Sequence, residues 1–74
     1  MKYTERIREL RNEKGYTQSQ VAKVIRVAQT TYSDYEKGDV RMPIEHIVEL
    51  ARFYDVNLNF ITGASDIRNT FPQK

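Results

Sequence analysis

Five side chains within six residues, Gln29, Thr30, Thr31, Ser33 and Asp34, carry hydrogen-bonding groups on short to medium stems with little apolar area. Such groups suit the edges of nucleic-acid bases. A glutamine amide can pair bidentately with adenine, a threonine methyl can meet thymine, and a carboxylate can accept from the amino group of cytosine. The same composition suits a solvated helix face, so residue type alone leaves both readings open. No comparable set supports catalysis. Ser19, Ser33, Ser65, His46 and several carboxylates are present, but none has the spacing of a nucleophile and its base. The chain has no cysteine and one histidine. That excludes disulfides, thiolate chemistry and a His-rich zinc site, so neither a metal nor a cofactor is expected.

The elements that must position these residues follow from spacing and punctuation. Residues 4–14 set Ile7 and Leu10 on one helical face, with Thr4 as the expected N-cap and Gly15 as the stop. Thr17 and Gln20 have the form of a capping box, and Val21, Ala22 and Ile25 continue it as an apolar stripe. Residues 28–37 form a third helix with Tyr32 and Tyr35 inward, ended by Gly38. After Pro43, the residues Ile44, Ile47, Val48, Leu50, Ala51 and Tyr54 recur at helical spacing, the strongest amphipathic pattern in the chain. Asn57 is placed to cap a short fifth helix, with Phe60 and Ile61 inward and Gly63 as its end. The expectation is an all-α fold: one five-helix domain over residues 1–63 and a short polar tail over 64–74. The core is expected to collect Ile7, Leu10, Val21, Ala22, Ile25, Val27, Tyr32, Tyr35, Ile47, Leu50, Ala51, Tyr54, Val56 and Ile61. Residues 65–74 are expected to fray.

With 74 residues the chain is one small domain of modest stability. Nothing in it approaches the ~20 apolar residues of a membrane span, and residues 1–14 are charged throughout. Neither a membrane partner nor a secretion signal is expected, and the lack of cysteine fits the cytoplasm. The net charge is +2 and the isoelectric point about 9.0, a mild pointer to nucleic acid. Two short helices separated by about four residues have the spacing of a helix-turn-helix, whose second helix enters the major groove.

The whole string is more specific than its parts. Thr17-Gln18-Ser19-Gln20-Val21-Ala22, Val27 and Tyr32-Ser33-Asp34-Tyr35-Glu36-Lys37-Gly38 closely resemble the helix-turn-helix domain of the Cro/C1 (XRE) family. Pro43-Ile44-Glu45, residues 50–56 and Phe60-Ile61-Thr62-Gly63 resemble that family's fourth and fifth helices. The resemblance covers residues 7–63. It implies a five-helix, lambda-repressor-like fold that binds double-stranded DNA, most simply as a homodimeric repressor on a palindromic operator. Carried over position by position, Gln29 and Thr30 reach base edges, with Thr31 beside them and Ser33 and Asp34 one turn on. Gln18 contacts a phosphate and braces the third helix. Lys37, Arg41 and Met42 lie along the DNA backbone, and Lys23 and Arg26 are further phosphate candidates. Arg11 and Glu36 match a pair that ties the first helix to the end of the third.

Three departures have physical consequences. Arg26 stands where the family has its turn glycine, so a side chain must take a left-handed conformation. Ala28 replaces the usual hydroxyl cap of the third helix, which forgoes about 1 kcal/mol. Asp34 puts a negative charge near phosphates. From residue 17 to 41, Lys23, Arg26, Lys37 and Arg41 oppose Asp34, Glu36 and Asp39, a net of +1. Nonspecific binding is therefore expected to be weak and salt dependent. Dimer contacts are expected on the fifth helix and tail, through Leu58, Ile67 and Phe71. No ligand-sensing domain is expected beyond Gly63. The competing reading is an antitoxin or protein-interaction module that contacts a protein partner through the fourth helix and tail. An enzyme is the weakest reading, because five short helices leave little concave volume.

Overall fold

The computed structural model describes residues 2–68, and the described residues form five α-helices and no strand. They are α1 (Tyr3–Lys14), α2 (Gln18–Val24), α3 (Gln29–Lys37), α4 (Ile44–Tyr54) and α5 (Leu58–Thr62). The capping chemistry is local and visible. The Thr17 hydroxyl accepts from the Gln20 amide at 3.1 Å, and the Gln20 side chain accepts from the Thr17 amide at 2.8 Å. Asn57 Oδ1 accepts from the Asn59 amide at 2.7 Å. Gly15, Gly38 and Gly63 end their helices in the left-handed region, as does Asp55 at φ 55°.

One core joins all five helices. Ile7, Leu10, Val21, Ala22, Ile25, Tyr32, Tyr35, Ile47, Leu50, Ala51, Tyr54, Val56, Phe60 and Ile61 are buried in it. Val27 is half-buried at its edge, not inside as the pattern suggested. Met42 is a clearer correction: it is 3% exposed and packs in the core, so its side chain does not lie along a DNA backbone. Val40 and Ile44, on either side of it, are exposed at 45% and 56%. Ile44 thus stands outside the apolar stripe of α4. Thr4 is not the cap of α1, which begins one residue earlier. Lys2 takes the cap position, and its amide donates to Glu5 at 3.0 Å. Tyr3 explains the early start, since its ring packs on the core edge and its hydroxyl accepts from the Met42 amide at 3.1 Å.

The start of the tail is also ordered by contacts. Arg6 is buried, with its guanidinium 3.9 Å from the centre of the Phe60 ring and Nη2 2.6 Å from Asp66. Arg68 lies 5.4 Å from the same ring, reaches Glu13 at 2.9 Å, and accepts from the Asn57 amide through its carbonyl. Residues 65–68 are strapped to α1 and α5, contrary to the expected fraying. Phe71 and the rest of 69–74 lie outside the described residues.

The recognition segment is held by one carboxylate. Glu36 on α3 accepts from Arg11 of α1 twice, Nε to Oε2 at 2.7 Å and Nη2 to Oε1 at 3.1 Å. It also accepts from Gln18 of α2 at 3.1 Å and from the Tyr32 hydroxyl at 2.6 Å. Each carboxylate oxygen therefore takes two donors. Arg11 Nη1 donates onward to the Tyr16 carbonyl at 3.1 Å, which pins the loop between α1 and α2. Burial pushes the Glu36 carboxyl up, but the bonds from Arg11, Tyr32 and Gln18 outweigh it and hold the group below the usual carboxylate range. The Arg11 guanidinium is held above its usual value, chiefly by the same hydrogen bond. Burial and the bond to Glu36 push the Tyr32 phenol far up.

Two predictions follow from these contacts. The side chains of Arg11 and Glu36 are 15% and 4% exposed, so breaking the pair strands a buried charge. Arg11→Ala and Glu36→Gln are each expected to cost about 3–5 kcal/mol in denaturant unfolding, out of the ~5–15 typical of a small domain. Because the folded carboxyl titrates below its unfolded value near 4.3, its stabilisation is full above about pH 4.3 and fades as pH falls through the folded value. The gap between wild type and Glu36→Gln should therefore be constant from pH 7 to about 5 and close in more acid solution. In the second prediction, Phe60→Ala should cost about 3–5 kcal/mol, because it empties the ring site under Arg6. Asp66→Ala should leave the midpoint near wild type, because that carboxylate is 95% exposed.

Candidate nucleic-acid interface

The α3 helix has two faces of different chemistry. Tyr32, Tyr35 and Glu36 are buried, and Gln29, Thr30 and Lys37 are exposed. At about 100° per residue, Gln29, Thr30, Ser33, Asp34 and Lys37 occupy one arc of about 140°. Thr31 falls outside that arc, on the flank beside Tyr35, and is half-buried. The structure thus groups four of the five expected base-reading residues and sets Thr31 apart. The Asp34 carboxylate enters no ion pair among the described residues, while the Asp34 carbonyl accepts from the amides of Asp39 and Val40. Its side chain is therefore free to meet an external donor. No apolar side chain interrupts this face.

The preceding turn has the geometry of a helix-turn-helix. The α2 helix ends at Val24, Ile25 follows as its C-cap, and Arg26 takes φ 60° in the left-handed region. The turn conformation expected for Arg26 is therefore present, at roughly 1–2 kcal/mol of backbone strain. The Val27 amide closes the turn on the Ala22 carbonyl at 3.0 Å. Ala28 caps α3 in extended conformation without a side-chain bond. The first amides of the recognition helix thus keep no side-chain acceptor from their cap, at the end that would face DNA.

The phosphate-contact candidates divide into three kinds. Lys23, Lys37 and Arg41 are exposed. Arg26 is also exposed, yet its Nη2 sits 2.6 Å from Glu49 of α4. Glu49 further meets His46 Nδ1 at 3.0 Å, and these bonds from His46 and Arg26 hold its carboxyl below the ordinary range. Arg26 thus ties the turn to α4, a role that residue type did not reveal. Gln18 is half-buried, and one N–H of its amide serves Glu36. An amide nitrogen carries two protons, so the second remains for another acceptor. The brace by Tyr32 was also missed, although Tyr32 and Glu36 stand four apart on one helix face, the spacing at which side chains meet.

Comparison with known proteins fits this geometry. A helix-turn-helix family profile matches residues 7–61. The chain is 38% identical over 64 residues to the HTH-type transcriptional regulator YobD of Bacillus subtilis, covering 86% of this chain and 57% of that protein. It is 36% identical over 64 residues to the cryptic phage CTXphi transcriptional repressor RstR of Vibrio cholerae, covering 86% and 58%. The chain spans a little over half the length of the curated relatives it matches. In fold, it is similar to a transcriptional regulator of Listeria innocua, with a TM-score of 0.80, 22% identity, and coverage of 99% of this chain and 62% of that one. With a two-faced α3, a left-handed turn before it and a profile match across all five helices, the chain belongs to the helix-turn-helix family of DNA-binding domains, in its Cro/C1 (XRE) branch.

Proposed function

We propose that the chain acts as a sequence-specific transcriptional regulator, a dimeric repressor that reads the major groove of an operator with α3. The observation that carries this reading is the outer face of α3, which is polar, exposed at Gln29, Thr30 and Lys37 and half-buried at Ser33 and Asp34, and whose side chains make no hydrogen bond or ion pair among the described residues. The buried node at Glu36 fixes its inner face. A relative whose printed name is transcriptional repressor supports the direction of regulation. The operator lies with the chromosome or a prophage, so the site of action is the cytoplasm, and no cofactor or metal enters. No helix among the described residues is long and apolar enough to cross a membrane.

Roles divide along the helix. Gln29 and Thr30 stand at its N-terminal end, where insertion is deepest, and read base edges. Ser33 and Asp34, one turn on, read the next base pairs, and Asp34 accepts from a cytosine amino group. Thr31, on the flank, makes a peripheral contact. Gln18 uses its second amide proton on a phosphate, and Lys23, Lys37 and Arg41 meet the backbone charge. Arg26 reaches a phosphate by exchanging Glu49 for it. Two copies place their α3 helices about 34 Å apart, one turn of duplex, through Leu58 on α5 and Ile67. These two are 36% and 65% exposed.

Selection of bound duplexes from a random pool, followed by footprinting, tests the reading directly, and failure to enrich any sequence would sink it. On the selected operator, Gln29→Ala is expected to cost about 1–3 kcal/mol and relax one position. Arg41→Ala is expected to weaken every sequence similarly and reduce the salt slope by about one contact. Asp34→Ala should weaken the selected site while improving scrambled duplexes, and a uniform gain on both would end its role as a discriminator. In sedimentation, Leu58→Asp and Ile67→Asp should shift the dimer toward monomer, whereas an unchanged dimer would move the interface elsewhere.

A further inference from the structure

An open cleft of about 460 Å³ lies where the start of α1 meets the end of α3. Its walls are Lys2, Tyr3 and Thr4 from α1, Lys37, Gly38 and Arg41 from the end of α3 and its loop, and Thr62 from α5. Three cations and no carboxylate line it. None of the ion pairs among the described residues involves Lys2, Lys37 or Arg41. The nearest acid in sequence, Glu5, accepts from the Lys2 backbone amide and does not neutralise the side chain. Asp39 lies between Lys37 and Arg41 in sequence but is not part of the wall.

The walls are held in register. The Tyr3 hydroxyl takes the Met42 amide at 3.1 Å, which fastens the first turn of α1 to the loop carrying Arg41. Gly38 is left-handed at φ 83°, and a Cβ there would come 3.9 Å from the Thr4 methyl. Glu5 in the first turn of α1 offsets the positive end of that helix, so the cationic field comes from the three side chains. Position along α3 decides which anion can reach this field. Lys37 lies eight residues beyond Gln29, about 12 Å along the helix axis. The major groove is about 12 Å wide. With the N-terminal end of α3 at base edges, its C-terminal end and the cleft there lie away from the bases, on the side of the sugar–phosphate backbone.

We propose that Lys2, Lys37 and Arg41 form one clamp for a phosphodiester of the operator backbone, which makes the first turn of α1 part of the DNA interface. This rests on the DNA-reading role of α3. Lys2 was absent from the residues singled out by the sequence, because 35 residues separate it from Lys37 and no motif contains it.

Lys2→Gln is expected to weaken selected and scrambled duplexes alike, by about threefold to tenfold at low salt, with the salt slope lowered by about 0.9. Lys2→Arg should restore both. Lys14→Gln, at the far end of α1 and outside the cleft, should change neither. Ethylation interference on the selected operator should show one phosphate whose effect is lost in both Lys2→Gln and Arg41→Gln. If Lys2→Gln behaves like Lys14→Gln while Arg41→Gln still weakens binding, the clamp is overturned and the reading by α3 stands. If wild type binds no duplex, the DNA reading itself fails. Titration with inorganic phosphate, followed at the Tyr3, Thr4 and Gly38 amides, separates the sources. Movement of those amides in a protein that binds no duplex identifies a free-phosphate site and overturns the assignment to DNA.

Discussion

The carboxylate of Glu36 is the point through which three helices agree on one geometry. A buried carboxylate is costly unless each oxygen is occupied, and here each accepts two hydrogen bonds. The donors come from α1, α2 and α3 itself. No one of these helices can rotate without stranding a charge in the core, so the outward direction of α3 is fixed by electrostatics as well as by packing. A small domain has few other means of achieving this, because its apolar core is thin. Arg26 and Glu49 add a second tie, from the turn to α4. That tie is more exposed and correspondingly weaker.

Much of the fold was legible from spacing. The apolar positions of α1, α2, α4 and α5, the capping box at Thr17, and the glycine stops all agree with one another, and consistency between levels is what makes a sequence readable. The misreadings have specific causes. Met42 sits in the loop between α3 and α4, where no regular period governs, so helical reasoning could not place it. Thr4 looked like a cap by residue type, but Tyr3 had a partner 39 residues away that drew the helix back. Arg6 reads as an ordinary surface cation until Phe60 and Asp66 are brought to it by the fold. Long-range contacts of this kind leave no periodic trace.

The interface was legible to a different degree. Residue type and resemblance together located the polar face of α3 and the pair Arg11–Glu36, which the structure joins by two bonds. They did not show that Thr31 leaves that face, that Arg26 is engaged by Glu49, or that Lys2 and Lys37 line one cleft. Each of these depends on angle or on distance across the chain, and neither is written in a list of residue types.

The separation of the two faces of α3 bears on how such a domain changes over time. Tyr32, Tyr35 and Glu36 hold the framework, while Gln29, Thr30, Ser33 and Asp34 make no side-chain bond to the rest of the domain among the described residues. Substitution on the outer face therefore acts on the ligand and hardly on folding. A duplicated gene could change those four positions, and whatever the face contacts, without passing through an unstable intermediate. The helix behaves as an exchangeable key in a fixed lock barrel, and its inner residues are what keep every new cut aligned.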